Sequence, residues 1–114
     1  MTNQLPIDMN FYNQIKSHHQ APIIDYVFAI FKNNMNMILE KGWYFWDPLA
    51  AVIASDDSLA DFKVQFIKII LTPETQSGST VVDNKTGYKI RVVSQVNKKH
   101  FEAKLLHYLS MDKP

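Results

Sequence analysis

Cysteine is absent from the sequence, and glycine is scarce, with three residues among 114. The lack of cysteine excludes a disulfide-stabilised scaffold, thiolate catalysis and cysteine-ligated zinc, and it is typical of a reducing compartment. The sequence also has no Gly-rich phosphate-binding loop and no HExxH metalloprotease motif. It therefore carries no complete catalytic motif of the thiol, phosphate-loop or zinc-protease classes.

An excess of one charge is missing as well, because 12 Lys and Arg residues stand against 11 Asp and Glu, for a net charge of +1. Without a clustered basic face we predict no nucleic-acid partner. The apolar runs are shorter than a membrane span and the N-terminus lacks a signal-peptide pattern, so we expect no membrane partner and a cytoplasmic location. The composition, with 46% hydrophobic and 20% charged residues, predicts a single globular domain over residues 1–114.

Hydrophobic spacing predicts helices at both ends of the chain. A long helix is predicted over residues 22–41, with Pro22 in its first turn and Gly42 as its stop. Residues 1–6 are predicted to be extended. A short helix is predicted after them, from a cap at Asp8 to about Ser17, and residues 18–20 form a link to the next helix. Asn97 is predicted to cap the last helix, whose apolar stripe has these members: Phe101, Leu105, Tyr108 and Leu109.

Alternating apolar residues predict strands in the second half of the chain. Residues 62–71 alternate, with a change of phase near Phe66 that indicates either a bulge or two covered faces. Residues 78–94 contain two short apolar runs around Asp and Gly turn residues, a pattern typical of a hairpin. The predicted fold class is α/β, or α+β for an isolated piece, with three to four helices and a small antiparallel sheet.

Residues 42–54, GWYFWDPLAAVIA, are the most informative stretch. Asp47 before Pro48 is a helix-start pattern, and the helix that follows has no polar face, which predicts a buried helix and a carboxylate near the interior. A buried carboxylate needs hydrogen bonds, an ion pair or a cation. Asp47 is thus either a cap satisfied by backbone amides or a ligand for a hard metal beside stacking aromatic rings.

The WDPLAA sequence of residues 46–51 resembles the C-terminal signature of the inosine-uridine preferring nucleoside hydrolases, which are calcium-dependent ribonucleoside N-glycosidases. Three further segments resemble the same family in the same order: residues 2–6 with 11–12, residues 78–83, and residues 96–109. The likeness covers nearly the whole chain but only the last part of a family member. The DxDxxxDD cluster with which family members begin is absent.

The resemblance implies roles for two residues. By its place in the signature, Asp47 corresponds to the distal calcium ligand, whereas the other ligands and the general base belong to the missing aspartate cluster. Trp46 stands where some family members have a base-protonating histidine and others a base-stacking tryptophan, so the resemblance implies a purine-type site. A structural alternative is that Trp46 fills the core. The apolar stripe of the long helix is core by default. The family shapes part of its base pocket from this helix, so the resemblance also allows a substrate contact at its far end, where these residues approach the signature: Asn34, Met37 and Ile38.

Two functions follow as hypotheses. The chain is either the C-terminal part of a nucleoside hydrolase, inactive and without bound calcium unless an N-terminal chain completes the site, or a stand-alone binding or self-associating module derived from that family. A nucleoside is an expected ligand only of the completed site. The remaining alternative is an unrelated fold with an accidental likeness.

Overall fold

The structure is a computed structural model, and it describes residues 4–18 and 21–111. The predictions for residues 1–3, and those for His19 and Gln20 in the link, lie outside this part of the chain. The chain divides into a helical unit, formed by Met1–Ala60 and Val96–Pro114, and a sheet unit, Asp61–Gln95.

The helical unit contains four α-helices: α1 (Met9–Ser17), α2 (Pro22–Lys41), α3 (Trp46–Ser55) and α4 (Lys98–Ser110). Short 3-10 turns occur at Asp57–Leu59 in the helical unit and at Glu74–Gln76 in the sheet unit. The predicted helices are therefore confirmed.

Local capping explains where three of these helices begin or end. The Asp8 carboxylate accepts a hydrogen bond of 3.0 Å from the Phe11 amide, and the Asn97 side chain accepts one of 3.1 Å from the His100 amide. These bonds satisfy amides that have no partner within the helix. Gly42 ends α2 at φ 65, in the left-handed region that favours glycine.

Three phenylalanine rings form the centre of the helical core. The Phe11 and Phe45 ring centroids are 4.7 Å apart at 83°, and the Phe45 and Phe101 centroids are 5.2 Å apart. Such pairs contribute about 0.5–1.5 kcal/mol each beyond their buried area. Other side chains without measurable exposure complete the core: Leu5, Ile15 and Ile24.

Two segments that precede helices pair with each other through the backbone. The Ile7 amide donates to the Trp43 carbonyl at 2.9 Å, and the Phe45 amide donates to the Leu5 carbonyl at 3.0 Å. An isolated antiparallel bridge joins Pro6 and Tyr44. The approach to α3 is therefore held against the approach to α1.

The sheet has three strands, β1 (Ala60–Ile69), β2 (Thr80–Val82) and β3 (Tyr88–Val96), in the order β2-β1-β3. The fold class, four helices with a small three-stranded antiparallel sheet, is confirmed. The pairing expected for the hairpin at residues 78–94 is wrong, because β2 and β3 each pair with β1 and not with each other.

The connection from β2 to β3 explains this order. The Asp83 amide, just after β2, donates to the Phe66 carbonyl at 2.8 Å and so continues the pairing with β1. Gly87 then lies against the backbone of β1, since a Cβ placed there would be 2.7 Å from the Phe66 carbonyl carbon and 2.9 Å from the Ile67 nitrogen. The chain therefore passes across β1 at this glycine and does not fold β3 back onto β2.

The turn at residues 83–87 has the predicted Asp chemistry. The Asp83 carboxylate accepts hydrogen bonds from the Thr86 hydroxyl and from the Lys85 and Thr86 amides. These bonds, the Thr86 hydroxyl first, lower the pKa of Asp83 to about 2. In β1 the half-buried positions change face between Phe62 and Gln65, earlier than the predicted change near Phe66.

A buried acidic group that the sequence did not indicate lies on α4. Glu102 is 3% exposed, and within the described chain no hydrogen bond reaches its Oε1 atom. The Lys98 ammonium is 3.6 Å from Oε1 but only 2.6 Å from Asp8 Oδ2, and Gln14 donates to Oε2 at 3.5 Å. Burial raises the pKa of Glu102, and the nearby Asp8 charge raises it further, against the opposing effects of Lys98 and Gln14.

Glu102→Gln is expected to raise the free energy of unfolding by about 1 kcal/mol at neutral pH, because it removes a buried charge while Lys98 keeps Asp8 as its partner. The pKa of Glu102 lies above its ordinary value of 4.5 in the folded state, so its stabilising contribution is complete below that value and is lost as pH rises. In urea unfolding, the free energies of unfolding of the two proteins should be closest near pH 4 and should differ most near pH 7. Glu74→Gln, at an exposed site, is the control, and a Glu102→Gln protein less stable than wild type at neutral pH contradicts the prediction.

Gly42→Ala is expected to destabilise the helical unit by about 1–2 kcal/mol, because an L side chain is strained at this positive φ. No atom lies within 4 Å of a Cβ at this position, so the cost comes from the backbone alone. Gly42→Asn should cost less than half as much, since asparagine tolerates the left-handed region. Equal losses in urea unfolding for both variants contradict this explanation.

Candidate functional site

The predicted site begins at the first turn of α3, where Asp47 is not the cap. Helix α3 starts at Trp46, and Phe45 is its N-cap residue. The Phe45 side chain is held in the core, and its carbonyl accepts the first helical hydrogen bond from Leu49 at 3.2 Å. Burial of this ring therefore starts the helix two residues before the expected position, and Asp47 lies within the first turn.

The expectation of a fully buried α3 is also wrong. Leu49 and Val52 are buried, but Asp47, Pro48 and most of the alanines of the helix are exposed. Alanine exposes little apolar area, so a helix of this composition needs neighbours on only one face. Asp47 is thus a surface carboxylate, and no side-chain hydrogen bond or ion pair to it is present in the described chain. An acidic group in the first turn is favourable to the helix dipole.

Trp46 is 44% exposed, so the alternative that it fills the core is wrong. Its ring lies 6.0 Å from the Tyr44 ring with an interplanar angle of 38°. The core position belongs to Phe45 instead, at 2% exposure. The aromatic run therefore alternates direction, and a part of the indole of Trp46 faces solvent beside the Asp47 carboxylate.

An apolar groove of about 490 Å³ opens next to this turn. Its lining comes from all four helices and includes Trp43, Tyr44, Phe45 and Pro48 around the start of α3. The largest contribution is a stripe along α2: Val27, Ile30, Phe31, Asn34, Met37 and Ile38. No Asp, Glu, Lys or Arg is among the lining residues, and Asn34 is one of its few polar members.

The groove brings together some of the predicted site residues and separates others. Asn34, Met37 and Ile38 line the same groove as Pro48 of the signature. Trp46 and Asp47 do not line the groove. The apolar spacing of α2 predicts a different stripe as core: Ile24, Val27, Phe28, Phe31, Met35, Ile38 and Leu39. Of these, Ile24, Met35 and Ile38 are buried, whereas Leu39 is 45% exposed. The signal for a groove was the presence of further apolar residues outside that stripe, which leaves α2 apolar on more than one side.

The described residues hold no group of three or more His, Cys, Asp or Glu side chains close enough to bind one metal ion. Calcium takes six to eight oxygen ligands. Asp47 is at an accessible position, where its carboxylate could supply one such ligand.

Comparison with solved structures identifies the fold. The chain is similar to the crystal structure of the inosine-uridine preferring nucleoside hydrolase from Bacillus anthracis, with a TM-score of 0.77 and 23% sequence identity. The match covers 96% of this chain and 34% of that one. This chain has part of the nucleoside hydrolase fold. No protein-family model and no curated protein sequence matches it.

The expected fold is confirmed by this similarity, and the chain spans about a third of the length of the matched nucleoside hydrolase. Its placement at the C-terminal end of that fold stays a prediction, as do the roles of Trp46 and Asp47. Among the helices in residues 4–18 and 21–111, none combines the length and apolar character required to cross a membrane.

Trp46→Ala and Asp47→Asn should each change the free energy of unfolding by less than about 0.5 kcal/mol, since both side chains lie at the surface. Phe45→Ala, the neighbouring substitution, should cost about 3–5 kcal/mol because it empties the centre of the aromatic core. Urea unfolding of the three variants measures the contrast. A large loss for Asp47→Asn would show a structural role for this carboxylate.

Proposed function

We propose that the chain is the C-terminal part of a nucleoside hydrolase-like protein, inactive alone, which supplies Trp46 and Asp47 to a site completed by the rest of the fold. One observation carries the proposal. The chain has part of the nucleoside hydrolase fold, and two consecutive residues in the first turn of α3, Trp46 and Asp47, are both exposed.

Trp46 is proposed to stack on the base of a purine nucleoside. An exposed indole offers a flat face, and stacking of this kind contributes about 1–3 kcal/mol per base. Tyr44 supports the ring from 6.0 Å away. The indole has no proton that titrates near neutral pH, so this residue binds and orients the base and does not protonate it.

Asp47 is proposed to be one oxygen ligand of a calcium ion. When bound, calcium supplies an electrophilic centre that holds the attacking water and the ribose hydroxyls. The backbone of Asp47 lies within a regular helical turn, which fixes the position from which its carboxylate extends. The other ligands and a general base have to come from outside this chain, which is the reason that no activity is expected of the chain alone.

The reaction of the completed site is hydrolysis of an N-glycosidic bond. The oxygen of water bonds to the anomeric carbon of ribose, the bond from that carbon to the base nitrogen breaks, and the water proton is transferred by way of a general base. The nucleobase leaves with a proton on its nitrogen, and ribose is the second product. The chain contributes binding and orientation to this reaction. A cytoplasmic location is proposed with it, in keeping with the absence of cysteine.

A stand-alone, self-associating module is the second candidate, and the apolar groove of about 490 Å³ favours it. Exposed apolar surfaces of this kind are commonly covered by association. Light scattering distinguishes the candidates, because a molar mass that doubles with concentration supports self-association. A monomer at all concentrations contradicts it.

The hydrolase proposal is tested by co-expressing the chain with the part of the Bacillus anthracis enzyme that it does not match. Ribose release from inosine is measured with calcium present. The chain alone should release none, whereas the combination should. Trp46→Ala should raise KM about 5- to 150-fold, the range that corresponds to loss of about 1–3 kcal/mol of stacking, and Asp47→Asn should lower kcat/KM at least about 100-fold.

Matched controls are Tyr26→Ala, an aromatic residue that is 70% exposed on α2, and Asp61→Asn, an exposed carboxylate in the sheet unit. Both should leave ribose release unchanged. Hydrolysis by the chain alone contradicts the proposed inactivity. An active combination in which Asp47→Asn equals wild type contradicts the proposed ligand.

A further inference from the structure

The groove between the helices has the composition of the centre of a protein interface. Its lining lacks the four charged residue types and contains five aromatic residues, among them Phe31 and Trp43, together with Met37. Interface centres are depleted in charge and enriched in aromatic residues and methionine. Ile30, one of the lining residues, is 44% exposed.

The shape of the groove follows from helix geometry. The lining residues of α2 run from Val27 to Ile38 at steps of three and four, which is one continuous stripe over three turns. At 1.5 Å per residue this wall is about 16 Å long. Helix α4 adds Leu105 and Leu109, which are one turn apart. A groove with helical walls of this length accommodates an amphipathic helix of about three turns, with apolar side chains at steps of three and four.

The apolar surface continues beyond this groove. A second depression of about 420 Å³ lies between α3 and α4 and shares Pro48 and Leu105 with the first. Its other lining residues are Ala51, Val52, Ser55 and Tyr108. The shared residues make the two depressions neighbours on one side of the helical unit, so a partner with more than one element can cover both.

The share of the fold that this chain represents indicates what covers the groove. The match takes in 34% of the Bacillus anthracis structure, so about two thirds of that chain lies outside the part equivalent to this one and can supply a covering element. We propose that the groove is the docking site for an amphipathic helix from the remaining part of a nucleoside hydrolase-like protein. This inference rests on the proposed function in that it treats the chain as one part of a larger assembly, but it concerns binding and not catalysis.

The test uses the tagged chain co-expressed with the unmatched part of the Bacillus anthracis enzyme, and the molar mass of the purified material is measured by light scattering. Ile30→Glu places a charge in the groove, whereas Ile23→Glu places the same charge seven residues away on α2, outside the groove and 53% exposed. An unpaired buried charge costs about 3–5 kcal/mol, which corresponds to a loss of affinity of more than about 100-fold. Melting curves of the two variants alone verify that each is folded.

A one-to-one complex with wild type and with Ile23→Glu, but not with Ile30→Glu, is the expected result. Equal complexes with both variants, or no complex with the wild-type chain, overturn the docking proposal. A wild-type homodimer that Ile30→Glu abolishes also overturns it and assigns the groove to a second copy. A complex that requires Ile30 but releases no ribose from inosine leaves the docking proposal standing and contradicts the proposed function, so the two fail separately.

Discussion

Burial of the Phe45 ring between Phe11 and Phe101 is the constraint on which the helical unit depends. The ring is 2% exposed, and its backbone amide is tied to Leu5 at 3.0 Å. With Phe45 fixed in this way, its carbonyl starts α3 at the next residue. Because successive residues of a helix point about 100° apart, the two that follow are directed away from the core. The surface position of Trp46 and Asp47 is therefore a consequence of the aromatic core.

The same packing leaves a helical unit with apolar surface on its outside. All four helices contribute side chains to the groove beside the phenylalanine cluster, and Ile30 and Trp43 remain partly exposed there. A domain that folds alone usually covers such a surface. The chain spans about a third of the length of the matched nucleoside hydrolase, and the two proposals place both the groove and the accessible Asp47 carboxylate at boundaries with the rest of such a fold. Docking in the groove can therefore be correct even if the completed assembly does not hydrolyse nucleosides.

Local signals accounted for most of the secondary structure and for some of the errors. Asp8, Asn97 and Gly42 were predicted as helix boundaries because capping bonds and positive φ involve only a few neighbouring residues. Asp47 matched the same pattern, but burial of the Phe45 ring in the tertiary structure moved the start of the helix two residues earlier. Glu102 gave no signal, since a charged residue beside an apolar stripe is ordinarily exposed. Its burial depends on Lys98 and on Gln14, which is 88 positions away in the chain.

The sequence by itself determined the class of the fold, the caps at Asp8, Gly42 and Asn97, its likeness to nucleoside hydrolases and the absence of cysteine chemistry. These properties depend on residue type and on short spacings, which are the same in any tertiary arrangement. Only the tertiary structure decided the strand order, the exposure of Trp46 and Asp47, and the groove along α2. Strand pairing and exposure are set by residues distant in sequence, such as the contact of Gly87 with the backbone of β1, and no local pattern specifies which side of an apolar helix its own chain will cover.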